Sequence, residues 1–247
     1  MKTRLSGLSM VAVGLASLAT LPACDTGEDD GIGGVPAQVP AVEFDAPQAA
    51  PAGDGSKACT PPRADHTNTV EIGGGSWGSY SQCMSYCPAG SYALQVATKS
   101  EASQGGGLFG GDDTALNGVR LGCIDLRTGA FTGNITSLVG SWGSWSATKN
   151  VNPFISGNPF VAGRMNIEAP QGPGDDTAAN TIEMTAKSGT VVKTGGQHEW
   201  GSWDPFSHRC GLGTAICGIN TRVEGKLGAG DDTALNGVTF ACCTFAP

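Results

Sequence analysis

A seven-residue pattern occurs three times in this chain, as Gly111-Asp112-Asp113-Thr114-Ala115-Leu116-Asn117, Gly174-Asp175-Asp176-Thr177-Ala178-Ala179-Asn180 and Gly230-Asp231-Asp232-Thr233-Ala234-Leu235-Asn236. A Trp-Gly segment recurs with it, as Trp77-Gly78-Ser79-Tyr80, Trp142-Gly143-Ser144-Trp145 and Trp200-Gly201-Ser202-Trp203. The first Asp of each pattern stands at 112, 175 and 231, so the repeat spans 63 and then 56 residues. That is too long for one turn of a solenoid and too short for separate domains. The chain is thereby restricted to three similar subdomains sharing one core, with boundaries near 68–127, 128–187 and 188–247.

Within each repeat the hydrophobic period is two, the spacing of strands. After the Asp pair, Val119, Leu121 and Cys123 alternate with Arg120 and Gly122; Ile182, Met184 and Ala186 alternate with Glu183 and Thr185; Val238, Phe240 and Cys242 alternate with Thr239 and Ala241. One buried face per strand follows. Leu94 and Val96, Met165 and Ile167, and Ile219 and Val223 mark another strand before each pair. The surroundings of the Trp-Gly motifs supply two more, which predicts four strands in each of three copies. No capped helical stripe appears after residue 56. The first copy is the longest: Val96 to Asp112 covers 16 residues where the other copies use 8, which places a Gly-rich insertion with Phe109 over 100–110.

Ahead of the repeats, Lys2 and Arg4, an apolar stretch over 5–21 and Leu21-Pro22-Ala23-Cys24 read as an export signal over 1–23. Its last four residues resemble a bacterial lipobox, which implies cleavage before Cys24 and a lipid on that thiol. An ordinary secretory signal cut after Ala23 is the plainer reading. Residues 24–56 carry seven acidic residues and no basic one among many Pro, Ala and Gly, the composition of a disordered tether. The domain from 57 to 247 is then nearly neutral, with 12 basic and 15 acidic residues and no basic cluster, so no nucleic-acid partner is expected. Any membrane contact is through the lipid alone. Beyond Cys24 there are eight cysteines, an even number that reads as four disulfides in an oxidising compartment, with the pairing left open.

The Trp-Gly-x-aromatic segments, the three Gly-Asp-Asp-Thr-Ala-x-Asn patterns and the closing Cys242-Cys243 resemble the vitelline membrane outer layer protein I family over roughly residues 68–247. The resemblance implies an all-β fold: a β-prism of three four-stranded antiparallel sheets with pseudo-threefold symmetry about a hydrophobic centre. Members are secreted components of an egg's outer coat, are similar in shape to some β-prism lectins, and have been associated with weak glycosyl transfer on N-acetylglucosamine oligomers. This chain departs from the family pattern in its second copy, which has no cysteine where members have a disulfide, while Cys59 and Cys87 are extra. Within that frame, alignment of the repeats pairs Cys83 with Cys123, Cys210 with Cys242 and Cys217 with Cys243, and leaves Cys59 with Cys87. The order of Cys242 and Cys243 stays open.

Function has two readings at the repeated motifs. In one, the bends gather around a depression at one end of the prism, where carboxylate and amide groups accept hydrogen bonds from sugar hydroxyls and indole faces stack on the ring. The candidate glycan-binding residues are then Asp112, Asp113, Asp175, Asp176, Asp231, Asp232, Asn117, Asn180, Asn236, Trp77, Trp142 and Trp200. In the other, Asp, Thr and Asn close turns through backbone hydrogen bonds, and the repeat-wise Trp77, Trp142, Trp145, Trp200 and Trp203 pack in the core or between sheets. Catalysis on a glycosidic bond requires two carboxyl groups about 5 to 5.5 Å apart for retention or about 6.5 to 9.5 Å for inversion. Glu101, Glu168 and Glu224 are further acids, the last two in equivalent positions after Ile167 and Val223.

Other chemistry is excluded more easily. Gly74-Gly75-Ser76-Trp77-Gly78 lacks the strand-to-helix setting of a nucleophile elbow. His66, His198 and His208 are scattered without zinc spacing, and paired Asp without an EF-hand array is weak ground for Ca²⁺, so neither metal nor cofactor is expected. The sequence therefore reads as an exported, lipid-anchored module, periplasmic or on the cell surface, that binds an envelope or extracellular glycan or forms part of a coat. The alternatives are weak glycosyl transfer or hydrolysis on N-acetylglucosamine oligomers, and a purely structural coat protein.

Overall fold

The two-residue alternation does produce strands: in a computed structural model of the chain, every regular element among the described residues is a β-strand. Those residues are 59–102, 114–151, 157–169, 177–196, 200–205, 208–225 and 233–245. The first repeat holds β1 (His66–Gly73), β2 (Ser79–Tyr80), β3 (Ser85–Tyr86), β4 (Ser91–Ser100) and β5 (Leu116–Asp125). Next come β6 (Phe131–Thr136), β7 (Ser144–Trp145), β8 (Lys149–Asn150), β9 (Phe160–Ile167) and β10 (Ala179–Ala186). The last are β11 (Val191–Gly195), β12 (Ser202–Trp203), β13 (His208–Arg209), β14 (Thr214–Val223) and β15 (Leu235–Thr244).

These segments form three antiparallel sheets in the orders β1-β15-β14, β6-β5-β4 and β11-β10-β9, each completed by two short segments on its last strand. β2 and β3 lie along β14, β7 and β8 along β4, and β12 and β13 along β9, so every sheet is four strands wide with a broken fourth strand. The break has a local cause. After β7 and β12 the next residue makes one more ladder bond, Ser146 N–H to Thr98 O at 2.8 Å and Asp204 N–H to Met165 O at 2.9 Å. Its side chain then takes the place of the following ladder acceptor: Ser146 Oγ accepts from Thr98 N at 3.1 Å, and Asp204 Oδ2 from Met165 N at 3.1 Å. With that N–H satisfied, the backbone is released from the ladder.

The sheets do not coincide with the repeats. The strands on either side of each Asp pair bond to one another, but their outer neighbours come from the next repeat, and for the third repeat from the first. β1 pairs with β15 from His66 opposite Cys243 to Gly73 opposite Gly237, which closes the ring of exchange. All three sheets turn side chains into a common core: Ile72, Ile219 and Phe240 from one, Val96, Leu116 and Leu121 from the second, Phe160, Met165 and Ile182 from the third. The expected single buried face is incomplete, however. A bulge between Ala93 and Gln95, and another between Ile216 and Gly218, shift the alternation, and a second cluster of Tyr92, Leu94, Ile124, Ala215, Ala241 and Phe245 is buried beyond them.

The disulfides correct half of the expected pairing. Cys210 bonds to Cys242 and Cys217 to Cys243 as expected, but Cys59 joins Cys83 and Cys87 joins Cys123. Cys87, not Cys83, follows the second short strand, and its N–H donates to Cys217 O at 2.8 Å just as Cys210 N–H donates to Val161 O at 2.8 Å. That bond docks Cys87 on β14, from which its disulfide reaches Cys123 of β5, leaving Cys83, in the gap between β2 and β3, to Cys59. Adjacent strand residues face opposite ways: Cys242 belongs to the central core and Cys243 to the second cluster, which separates their partners.

Arg63 anchors the segment before β1. Its guanidinium makes a two-pronged contact with Asp65, at 2.9 and 2.6 Å, and donates to the carbonyls of Cys87, Pro88 and Ser91. It also lies over the Tyr92 ring, whose hydroxyl donates to Thr244 O.

Candidate functional site

The three bends are built alike from their first described residue onward. Thr114, Thr177 and Thr233 are buried, and each hydroxyl donates to a glutamate: to Glu101 at 2.7 Å, to Glu168 at 2.8 Å and to Glu224 at 2.7 Å. The same hydroxyls accept from the amides of Asn117, Asn180 and Asn236, at 2.6, 2.8 and 2.7 Å. Between Thr and Asn, Ala115, Ala178 and Ala234 adopt left-handed φ values of 44°, 52° and 47°. That conformation costs an L-residue about 1 to 2 kcal/mol. It aims each alanine carbonyl at the backbone N–H of the glutamate, bonded at 2.8, 2.8 and 2.7 Å. Glu101 is therefore the third equivalent acid, although the insertion after it hides the relation in the sequence.

The Trp-Gly turns close over these bends. Gly78, Gly143 and Gly201 have positive φ, and a Cβ on each would lie 2.4, 2.2 and 2.1 Å from the carbonyl oxygen of Val223, Ser100 and Ile167, the residue just before each glutamate. Only glycine fits there. Trp142 N–H donates to Asn117 Oδ1 at 3.2 Å, and Asn180 Nδ2 donates to Trp200 O at 3.2 Å. Two of the turns are also gripped by a cation: Arg222 donates to Gly75 O at 2.8 Å and Ser76 O at 2.6 Å, and Lys99 to Gly140 O at 2.8 Å. The position equivalent to Arg222 and Lys99 in the third sheet is Asn166. Burial lowers the pKa of the Lys99 ammonium.

Contacts between sheets bring the bends to the same end. A Cβ on Gly140, whose N–H donates to Asn117 O, would lie 3.2 Å from Ala234 of another bend. Thr98 and Thr194 hydroxyls meet at 3.1 Å, and the Asp204 carboxylate accepts from both Gly73 N and Met165 N.

This geometry divides the sequence-derived candidates. Asn117, Asn180 and Asn236 are fully buried and hold the turn from inside, so they are not ligand-facing, which corrects their place in the glycan set. The six aspartates, Asp112, Asp113, Asp175, Asp176, Asp231 and Asp232, lie outside the described residues, as does most of the insertion over 100–110. Core packing of the tryptophans is also corrected: none of the five is buried, and Trp200 is 41% exposed. Bulky indoles sit at the turns, outside the prism, because the core positions of the neighbouring strands are already filled. The second aromatic of each motif carries a cation, Arg222 over Tyr80 at 6.0 Å, Arg120 over Trp145 at 4.3 Å and Arg164 over Trp203 at 4.8 Å. Burial and the Glu71 carboxylate, which accepts from the phenol, push Tyr80 up to about 12. The backbones of Trp142 and Trp200 are thus tied to the asparagines of two bends, and Trp77 stands in the equivalent turn, next to Gly78, which packs on Val223 and Glu224.

A model of the family described as Vitelline membrane outer layer protein I (VOMI) matches residues 64–245. The chain belongs to this family. It is 37% identical over 188 residues to the human Vitelline membrane outer layer protein 1 homolog, covering 75% of this chain and 88% of that protein. The mouse homolog is 36% identical over 171 residues, 69% of this chain and 80% of that protein. Among solved structures, the agglutinin of Calystegia sepium covers 75% of this chain and all of its own, at 16% identity and a TM-score of 0.46. The Thr-Ala-x-Asn half of the repeat is thus, in this VOMI chain, a buried fastening that joins each Trp-Gly turn to a glutamate.

Proposed function

We propose that the protein is an exported coat module, lipid-tethered through Cys24, that binds glycans at the end of the prism carrying the three bends. The observation that supports this most is the threefold recurrence of Trp77, Trp142 and Trp200, none of them buried, in turns whose backbones are fastened to the three bends. An indole face beside carboxylates is the pairing that sugars use, apolar ring face on aromatic and hydroxyls on acceptors. Rigid roots help, because a side chain fixed before binding loses less entropy when the ligand arrives. Four disulfides fit an oxidising compartment outside the cytoplasm, and a prism on a long acidic tether can reach an envelope polymer.

Retention on immobilised peptidoglycan, chitin and N-acetylglucosamine oligomers tests the proposal. The wild-type chain is retained on at least one of them, and Asp112→Asn/Asp175→Asn/Asp231→Asn reduces retention without lowering the melting temperature. No retention on any of these glycans, or retention indifferent to the aspartates, refutes the reading.

A further inference from the structure

The prism has two unlike ends. β4, β9 and β14 run into the bends and β5, β10 and β15 run back out of them, so the starts of the first three strands lie at the end away from the bends. The ten residues of β5 and of β15 separate the two ends by about 33 Å, at about 3.3 Å per residue. Tyr92, Ile124, Val161, Ala215, Cys243 and Phe245, drawn from all three sheets, close the far end. The chain enters the fold there as well: β1 begins opposite Cys243, Thr244 N–H donates to Asp65 O at 2.9 Å, and Arg63 donates to the carbonyls of Pro88 and Ser91. This entry end is stiff. Cys87, following β3, bonds to Cys123, the eighth residue of β5, and Cys210, following β13, bonds to Cys242, the eighth residue of β15. At the third seam between sheets the same two positions are Val151, following β8, and Ala186, the eighth residue of β10, both buried.

Five large apolar side chains are exposed among the described residues, and three of them stand at the entry end, one beside each sheet. Phe131 opens β6 and Val191 opens β11, each 52% exposed, and Leu212, fully exposed, tips the turn over 211–213 that leads into β14. The other two, Leu138 and Trp200, are at the bends. Exposed bases accompany the three: Arg127 and Lys187 in the turns before Phe131 and Val191, and Arg209 before the Leu212 turn. Lys187 lies over the Phe245 ring at 5.0 Å, and Asp125 beside Arg127 accepts from the N–H groups of Arg127 and Thr128, yet all three bases stay open to solvent. Asp65 is neutralised by Arg63 at 2.6 Å, while Glu101, Glu168 and Glu224 are all at the bends.

Apolar tips flanked by bases are what carries a peripheral protein into the interface of an anionic bilayer. The tether says what covers this face. Cys24 precedes Cys59 by 35 residues, and a coil of that length spans roughly 30 to 35 Å. A lipid on Cys24 therefore keeps a bilayer within reach of the end that the tether enters, at an effective concentration that populates even a weak contact. We propose that the entry end is a membrane-contact face: Phe131, Val191 and Leu212 enter the interface of a bilayer whose anionic headgroups meet Arg127, Lys187 and Arg209, and the bends point away from it. The setting rests on the anchor proposed at Cys24, but the contact can be measured without it.

Co-sedimentation with vesicles of phosphatidylglycerol and phosphatidylethanolamine tests this on the exported chain from Asp25 onward, which lacks both the apolar stretch over 5–21 and the lipid-bearing cysteine. The chain partitions onto these vesicles, less strongly as salt is raised, and at least tenfold less onto phosphatidylcholine. Phe131→Ser/Leu212→Ser lowers the partition coefficient at least tenfold with the melting temperature unchanged, because both side chains are in solvent, and Arg127→Gln/Arg209→Gln lowers it on the anionic vesicles. The proposal is overturned by absence of binding, by equal binding to phosphatidylcholine, or by a double serine variant that binds undiminished. It is also overturned if the chain dimerises without vesicles and the serine variant does not, since a second copy then covers the face. The mass of the Cys24 peptide from native membranes reports the anchor separately, and the serine variant keeps its retention on glycans, so failure of the contact is distinguishable from failure of the proposed function.

Discussion

If Val151 and Ala186 occupy the place of a missing inter-sheet bridge, Val151→Cys/Ala186→Cys creates a fifth disulfide without distorting the fold. The equivalent bridges have Cα–Cα separations of 5.7 and 5.6 Å and close loops of 36 and 32 residues. A loop of that size corresponds to about 4 kcal/mol of lost unfolded-chain entropy. Replacing Val151 removes roughly a methyl group from a buried site, a loss of about 1 kcal/mol. The oxidised variant is therefore more stable by about 2 to 3 kcal/mol, which raises the melting temperature of a domain of this size by roughly 5 to 10 °C. Thiol titration of the denatured variant and mass spectrometry of its peptides show the bond; thermal unfolding with and without reductant shows its effect. Two persistent thiols, or a bridge that forms and lowers the melting temperature, would refute the threefold equivalence of these positions.

Other consequences follow from single contacts. Glu224→Ala deprives the buried Thr233 hydroxyl and N–H of their acceptor and lowers stability by about 2 to 4 kcal/mol in denaturant titration, with Glu224→Gln intermediate. Gly201→Ala, whose methyl group meets Ile167 O, costs about 2 to 4 kcal/mol by the same measurement. Arg63→Ala costs about 3 kcal/mol and exposes the 59–65 segment to protease. The Arg63 guanidinium holds the Asp65 carboxyl below the usual carboxylate range. That contribution is present above about pH 4 and is lost as pH falls through the depressed folded value, so the acid limb of the stability profile flattens in Arg63→Ala. Tyr80 shows the opposite sign: with its phenol raised to about 12, its contribution is complete below about pH 10 and is lost as pH rises toward 12, which an ultraviolet difference titration reads directly.

Much of the prism was legible because alternation and repetition are local properties. Val119, Leu121 and Cys123 announce a strand whatever surrounds them. The exchange of strands between repeats was not legible, because the pattern within a strand carries no record of its neighbour: β6 looks the same whether it pairs with β5 or with a strand of its own repeat. Glu101 escaped alignment because the insertion separates it from its threonine. The left-handed alanines gave no signal, since Ala is not a residue that marks positive φ and the bend imposes that conformation through its buried hydrogen bonds. Cys83 misled because it stands in the same motif as Cys87, and only the backbone bond to Cys217 distinguishes them. The indoles were misplaced for a related reason, their regular recurrence being a property of turns here and not of the core.

In the proposed glycan site Trp77, Trp142 and Trp200 face the ligand, while Trp145 and Trp203, covered by Arg120 and Arg164, do not. Indole N–H resonances followed during titration with whichever glycan retains the protein test it most directly. Signals of the first group move on binding and those of the second stay still. Movement confined to Trp145 and Trp203, or binding that shifts no indole signal, would contradict it.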